Sequence, residues 1–185
     1  MRKSILVILF VCGSAIPSRA QSAPENPLST WLRNAYMGNR NDILKSAEKV
    51  PEDLYSLRPG PQTEVRTFGR IIGHLANFNY LWCSQAKGEK NPGEGTDFET
   101  VATKAGLVKA LNDAFSYCDG VYAGLTDSSA TEIIQITQEN GREALVPRIG
   151  LLIQNYGHNN EHYGNLVTYM RIKSIVPPSS EPRSR

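Results

Sequence analysis

Between Thr67 and Lys87 the apolar residues Ile71, Leu75, Phe78, Leu81 and Trp82, with His74 among them, recur at intervals of three and four. That is the α-helical period, and it predicts a helix over 67–87 with one continuous apolar face. Such a face has to be covered along its whole length, so the rest of the chain must supply partners for it.

Three other stretches carry the same signal. One runs from about Ser29 to Val50, where Ser29 or Thr30 can cap the helix, Leu32, Tyr36, Ile43, Leu44 and Ala47 form a broken stripe, and Pro51 marks the end. Another runs from about Thr103 to Leu125, with Leu107, Leu111, Ala114, Phe115, Cys118 and Tyr122 on one side. The last runs from about Ala144 to Ser174, with Pro147 tolerated only in its first turn and Pro177-Pro178 beyond its end. The connector PEDLYSLRPGPQTEV is rich in proline and glycine. The loop GEKNPGEGTDFE is long enough, at about 40 Å when extended, to run back along a 20-residue helix. Ile133, Ile134 and Ile136 favour a short extended segment and Asn140-Gly141 a turn, but this alone does not predict a sheet. The expectation is all-α: a four-helix bundle in one domain over residues 21–178, with residues 179–185 as a disordered tail.

Residues 1–20 read as a secretory signal. Arg2 and Lys3 precede an apolar run from Ile5 to Cys12, and Ser18-Arg19-Ala20 offers a cleavage point after Ala20. Lipid attachment at Cys12 is disfavoured by the bulky Val11 before it. Cleavage removes Arg2, Lys3 and Arg19 and no acid, so 20 basic residues become 17 against 18 acidic, a formal charge of −1. The balance speaks against nucleic acid or an anionic membrane as partner; a small molecule is the expected partner, and a homodimer is possible because bundles of this type often pair. The expected location is exported, periplasmic or secreted. There an oxidising compartment permits Cys83 and Cys118, the two cysteines of the mature chain, to pair.

The chain has three histidines, and all fall on predicted helices: His74, His158 and His162. His158 and His162 are one helical turn apart, on a face shared with Leu151, Asn155, Asn165 and Tyr169. Taken singly, His74 reads as a core histidine bonded to a neighbour, and the other two as a polar helix face. Taken together they suit another arrangement. An unpaired buried imidazole costs roughly 1–3 kcal/mol, and three of them at one level of a bundle can share a cation. If the second and fourth helices are antiparallel, His74 and His162 differ in height by about 7 Å. Three nitrogen ligands leave positions for water or substrate, as in catalytic sites.

HNNEH also fits the H-x-x-E-H pattern of inverted zinc proteases, with Glu161 as base. That enzyme class needs an acidic third ligand far downstream, and Glu181 is the sole acid after His162. A third ligand from His74 would be a different design.

FGRIIGHLANFNYLW, together with HNNEHYGN and the YGNLVTYMRIKSIVPP that overlaps and follows it, resembles the DinB/YfiT-like superfamily, and PEDLYSLRP is similar to its members too. Members typically carry H-x-x-H-H-R-G-Q. Here the outer histidines and Gly164 are retained, while Glu161 stands for the middle histidine, Tyr163 for arginine and Asn165 for glutamine. The resemblance spans about Ser29 to Pro178. It implies an up-down-down-up bundle with a crossover between helices two and three, and one divalent metal, zinc or nickel, on His74, His158 and His162. Relatives of this kind include transferases and isomerases that use low-molecular-weight thiols such as bacillithiol or mycothiol. In that topology Cys83, 16 residues into its helix, and Cys118, 15 into its own, come level. In an antiparallel hairpin they would stand about 20 Å apart, too far for a disulfide. The alternative is two buried thiols that never meet.

These readings lead to a metal-dependent hydrolase or thiol-dependent transferase acting on a small molecule. Glu161 is then a candidate base, and Asn77, Asn155 and Tyr169 are candidates to line the pocket. The alternative is a non-catalytic metal- or ligand-binding module of the cell envelope.

Overall fold

Proline, threonine and glycine set the ends of the helices. The computed structural model describes residues 25–138 and 140–182; the expected signal segment and Cys12 lie outside them. Helix α1, Pro27–Lys49, has proline in its first turn and no cap from its own side chains. Asp127 supplies one across space, accepting from the backbone N–H groups of Leu28 (3.1 Å) and Ser29 (2.8 Å). Helix α2, Phe68–Lys87, starts at Thr67, whose hydroxyl accepts from the N–H of Arg70, and stops at Gly88. Helix α3, Lys104–Gly124, is capped in the same way by Thr103. A single turn α4, Asp127–Ala130, follows. Helix α5, Arg148–Ile172, is the longest. No helix among the described residues is long and apolar enough to cross a membrane.

One element departs from expectation. Strands β1, Ile133–Thr137, and β2, Glu143–Pro147, form an antiparallel hairpin, with Ile134 opposite Val146 and Ile136 opposite Ala144. Residues 144–147, expected as the start of the fourth helix, are therefore strand, and the helix begins at Arg148. Pro147 explains the switch: it has no N–H to donate and it pushes Val146 to extended backbone. Gly141 makes the turn with φ 76°, in the left-handed region. Ile134, Ile136 and Val146 lie on the inner side of the hairpin and pack on the core. The chain is thus mostly helical with a small two-stranded sheet.

Specific contacts fix how the long helices meet. Tyr36 of α1 stacks on Tyr122 of α3, ring centroids 3.8 Å apart. Lys104 at the start of α3 donates to the carbonyls of Glu48 and Val50 at the end of α1. Near the starts of α2 and α3 a Cβ on Gly69 would stand 3.2 Å from the Leu107 side chain, and Cys83 and Cys118 are joined by a disulfide further along, with Cα atoms 5.4 Å apart. The loop after Gly88 therefore has to return along α2, and its short 3-10 turn, Phe98–Thr100, lies against Gly73. Between these helices sit Ile43, Ile72, Leu75, Leu111, Phe115, Leu152 and Leu166, all fully buried.

The chain end also differs from expectation. Pro178–Ser180 is a 3-10 turn, with Ser179 hydrogen-bonded to Tyr163 and Glu181 paired with Lys49. Pro178 is buried. The expected disordered tail thus docks through residue 181, and residues 183–185 lie outside the described ones.

Candidate metal centre

His74 lies on the inner face of α2, where Gly73 beside it has no side chain. A Cβ on Gly73 would stand 2.3 Å from the carbonyl oxygen of Phe98 and 2.7 Å from the N–H nitrogen of Glu99. The missing side chain lets the returning loop lie directly on the helix. Asn77, one turn on, holds that loop through both ends of its amide: it donates to Asp97 (2.9 Å) and accepts from the N–H of Phe98 (3.0 Å). As a result Glu99 reaches Nδ1 of His74 at 2.8 Å.

His158 and His162 come from consecutive turns of α5. Nε2 of His158 lies 3.1 Å from Nε2 of His74 and 3.0 Å from Nε2 of His162. The ligand-type atoms of the three residues all fall within 4.8 Å of one another, so the trio could hold a metal ion. Two nitrogens on one tetrahedral zinc stand about 3.3 Å apart, close to the spacing here.

A network of buried amides locks the register between α2 and α5. Asn79 and Asn159 each donate to the other's carbonyl oxygen, at 3.0 and 3.1 Å. Asn155 donates to Asn79 (2.9 Å), and Tyr122 donates to Asn155 (2.9 Å). The pairing leaves little freedom for one helix to slide on the other, because slipping would strand buried amides. It holds the α5 histidines opposite His74.

The donor set fits a cation better than it fits itself. Burial first, then the charges of His162, His74 and Arg66, hold His158 down to about 3. Burial first, then His74, hold His162 down to about 4. Both imidazoles are therefore neutral at pH 7 and offer lone pairs. In the neutral form of His74 the ring proton on Nδ1 is directed to Glu99, and Nε2 can only accept. A single proton on Nε2 of His158 cannot satisfy both neighbours, and Nδ1 of His158 is buried with no hydrogen-bond partner among the described residues. A shared cation removes the conflict between lone pairs.

Aromatic rings close one side. Phe78 lies 4.6 Å from the His74 ring and 5.0 Å from His158, and Trp82 lies 4.8 Å from His158. On the other side a cavity of about 290 Å³ reaches His162, lined also by Arg66, Asn165, Thr168 and Tyr169. The predicted residues separate accordingly. Tyr169 lines this cavity and donates its hydroxyl to the carbonyl of Arg66. Asn77 holds the loop. Asn155 is fully buried within the amide network, between Tyr122 and Asn79. Glu161 points to the exposed side of α5, with its charge felt at His162. Glu99 is the contact that the sequence does not reveal, because it sits in a loop 25 residues from His74. The available signals were the glycine beside His74 and an Asp97 able to cap the turn that carries Glu99.

Two crystal structures are similar in fold. A DinB-like protein from Bacillus subtilis aligns with a TM-score of 0.63 at 21% identity, over 83% of this chain and 99% of that one. A DinB-like protein from Bacillus cereus aligns with a TM-score of 0.62 at 18% identity, over 80% of this chain and 93% of that one. A comparison with curated proteins finds no match. The sequence profile of the DinB superfamily matches residues 35–166, a span that takes in α2, the returning loop and all three histidines. By that match the chain belongs to the DinB superfamily.

Proposed function

We propose that this protein is a divalent-metal-dependent enzyme of the up-down-down-up bundle type, with His74, His158 and His162 as the protein ligands. The observation that carries the reading is the meeting of three Nε2 atoms, at 3.0–3.1 Å, from helices 84 residues apart in sequence. Contacts along the helices support the bundle order: α2 and α3 meet start to start and are joined by the disulfide, whereas α1 and α3 meet end to start.

When bound, a divalent metal such as zinc or nickel lowers the pKa of a bound water or thiol and polarises an electrophile. The chain's own residues do the rest. The neutral imidazoles of His158 and His162 keep their lone pairs available at pH 7. Phe78 and Trp82 shield the α2 side from water. The cavity beside His162, which suits a small molecule in volume, gives a reactant access to the third side. These features favour hydrolysis, or transfer to a thiol, over storage in a closed site. Glu161, exposed beside His162, is the candidate proton acceptor for a molecule arriving from solvent. The signal-like residues 1–20 support export.

Metal analysis of the purified protein tests the reading. Wild type should hold about one zinc or nickel per chain, and His74→Ala and His162→Ala should each lose it. Retention of metal in His74→Ala would break the trio, and a wild type that takes up neither metal would end the proposal.

A further inference from the structure

We infer that Glu99 is a positioning residue of this centre: it fixes the tautomer and ring orientation of His74 so that Nε2 faces His158 and His162. The inference rests on the reading of the three histidines as a metal site.

Three observations carry it. First, Oε1 of Glu99 lies 2.8 Å from Nδ1 of His74. A carboxylate only accepts, so in the neutral ring, the form that binds a metal, the proton resides on Nδ1 and the lone pair on Nε2. Second, Glu99 is itself held. Nε of Arg66 lies 3.0 Å from both carboxylate oxygens, and a terminal nitrogen of Arg70 lies 3.0 Å from Oε2. Its own N–H donates to Asp97 (3.0 Å), and its turn is seated on Gly73. Third, the carboxylate is only 9% exposed. A loop that merely needed an ion pair could make one at the surface with Arg66 or with Arg70 of α2, without burying an acid against an imidazole.

The three histidines differ in this respect. Nδ1 of His162 faces the amide nitrogen of Asn165 at 3.3 Å. Nδ1 of His158 has no hydrogen-bond partner among the described residues. His74 alone of the three has a carboxylate hydrogen-bonded at Nδ1, and a carboxylate behind an imidazole raises its basicity as a ligand. Glu99 thus makes His74 the anchoring ligand, and the α2–α3 loop becomes part of the site.

Two measurements on the full mature chain test this. Long-range proton–nitrogen correlation spectra of the metal-free protein read the tautomer of His74 directly. Wild type should show the Nδ1–H form, and Glu99→Ala should shift His74 toward Nε2–H. Zinc titration by calorimetry should then show affinity falling about tenfold in Glu99→Gln and up to about a hundredfold in Glu99→Ala. Glu99→Gln preserves shape and carries the test if Glu99→Ala does not fold. Wild-type zinc affinity in Glu99→Gln and Glu99→Ala, or an unchanged His74 tautomer in Glu99→Ala, overturns the inference. If wild type binds no zinc yet its His74 tautomer depends on Glu99, the metal reading falls while the positioning of His74 stands.

Discussion

His158 and His162 hold folded-state pKa values of about 3 and 4, below the ordinary 6.5, because burial and neighbouring positive charge oppose their ionisation. The sign of the consequence follows from proton uptake. Well above pH 6.5 both residues are neutral whether the chain is folded or not, and neither affects stability. As the pH falls below 6.5 the unfolded chain takes up protons that the folded one refuses, so stability is lost progressively down to about pH 4 for His162 and pH 3 for His158. Each residue contributes up to about 1.4 kcal/mol per pH unit. The metal-free protein should therefore unfold at lower urea concentration at pH 5 than at pH 7, a range above most carboxylate titration. His158→Phe, which removes one of the two groups, should flatten that slope. Equal urea midpoints for the wild type at pH 5 and pH 7 would contradict the burial of His158 and His162.

At the scale of elements, the site depends on a loop being pressed onto a helix. Gly73 permits the contact, Asn77 and Asp97 shape the turn, and Glu99 arrives at His74 as the result. Gly73→Ala separates this role from ordinary helix stability. In a helix interior alanine is favoured over glycine by about 1 kcal/mol, so an unconstrained site would gain stability. Here the new Cβ meets backbone at 2.3 Å, which a side-chain rotation cannot relieve. The expected outcome is a net loss of about 1–2 kcal/mol, read as a melting temperature lower by roughly 2–8 °C, together with weaker zinc binding. A variant that is more stable and binds zinc as wild type does would show that the loop has room to move. The hairpin teaches a related lesson. Its isoleucines are legible as extended, but pairing needs a second strand, and the segment that supplies it also continues into the pattern of α5.

Across the whole molecule the Cys83–Cys118 bridge joins α2 to α3, whose connecting loop lies back against Gly73 of α2. It spans a sequence separation of 35, for which the chain-entropy account gives about 4 kcal/mol of stabilisation. Cys83→Ser/Cys118→Ser should therefore lower unfolding stability by about 2–4 kcal/mol in denaturant titration while leaving the histidines in place. Zinc at a hundredfold excess over its Kd should restore about 2.7 kcal/mol of that by mass action. A double variant as stable as wild type would show that packing of α2 on α3 suffices without the bridge.

The sequence by itself determined the four long helices, the stops between them and the three histidines as a set, because apolar spacing, proline, threonine and glycine act over one or two turns of chain. It also carried the family, through motifs local to two helices. Tertiary structure alone decided the rest. Pro147 barred Ala144–Pro147 from the helix, but they paired as strand because β1 lies beside them, and Asn155 went into a buried amide network because Asn79 and Tyr122 await it there. Glu99, not Glu161, touches a histidine ring because a returning loop crosses a glycine. Each of these outcomes depends on which distant groups share a buried volume, and only the folded packing sets that.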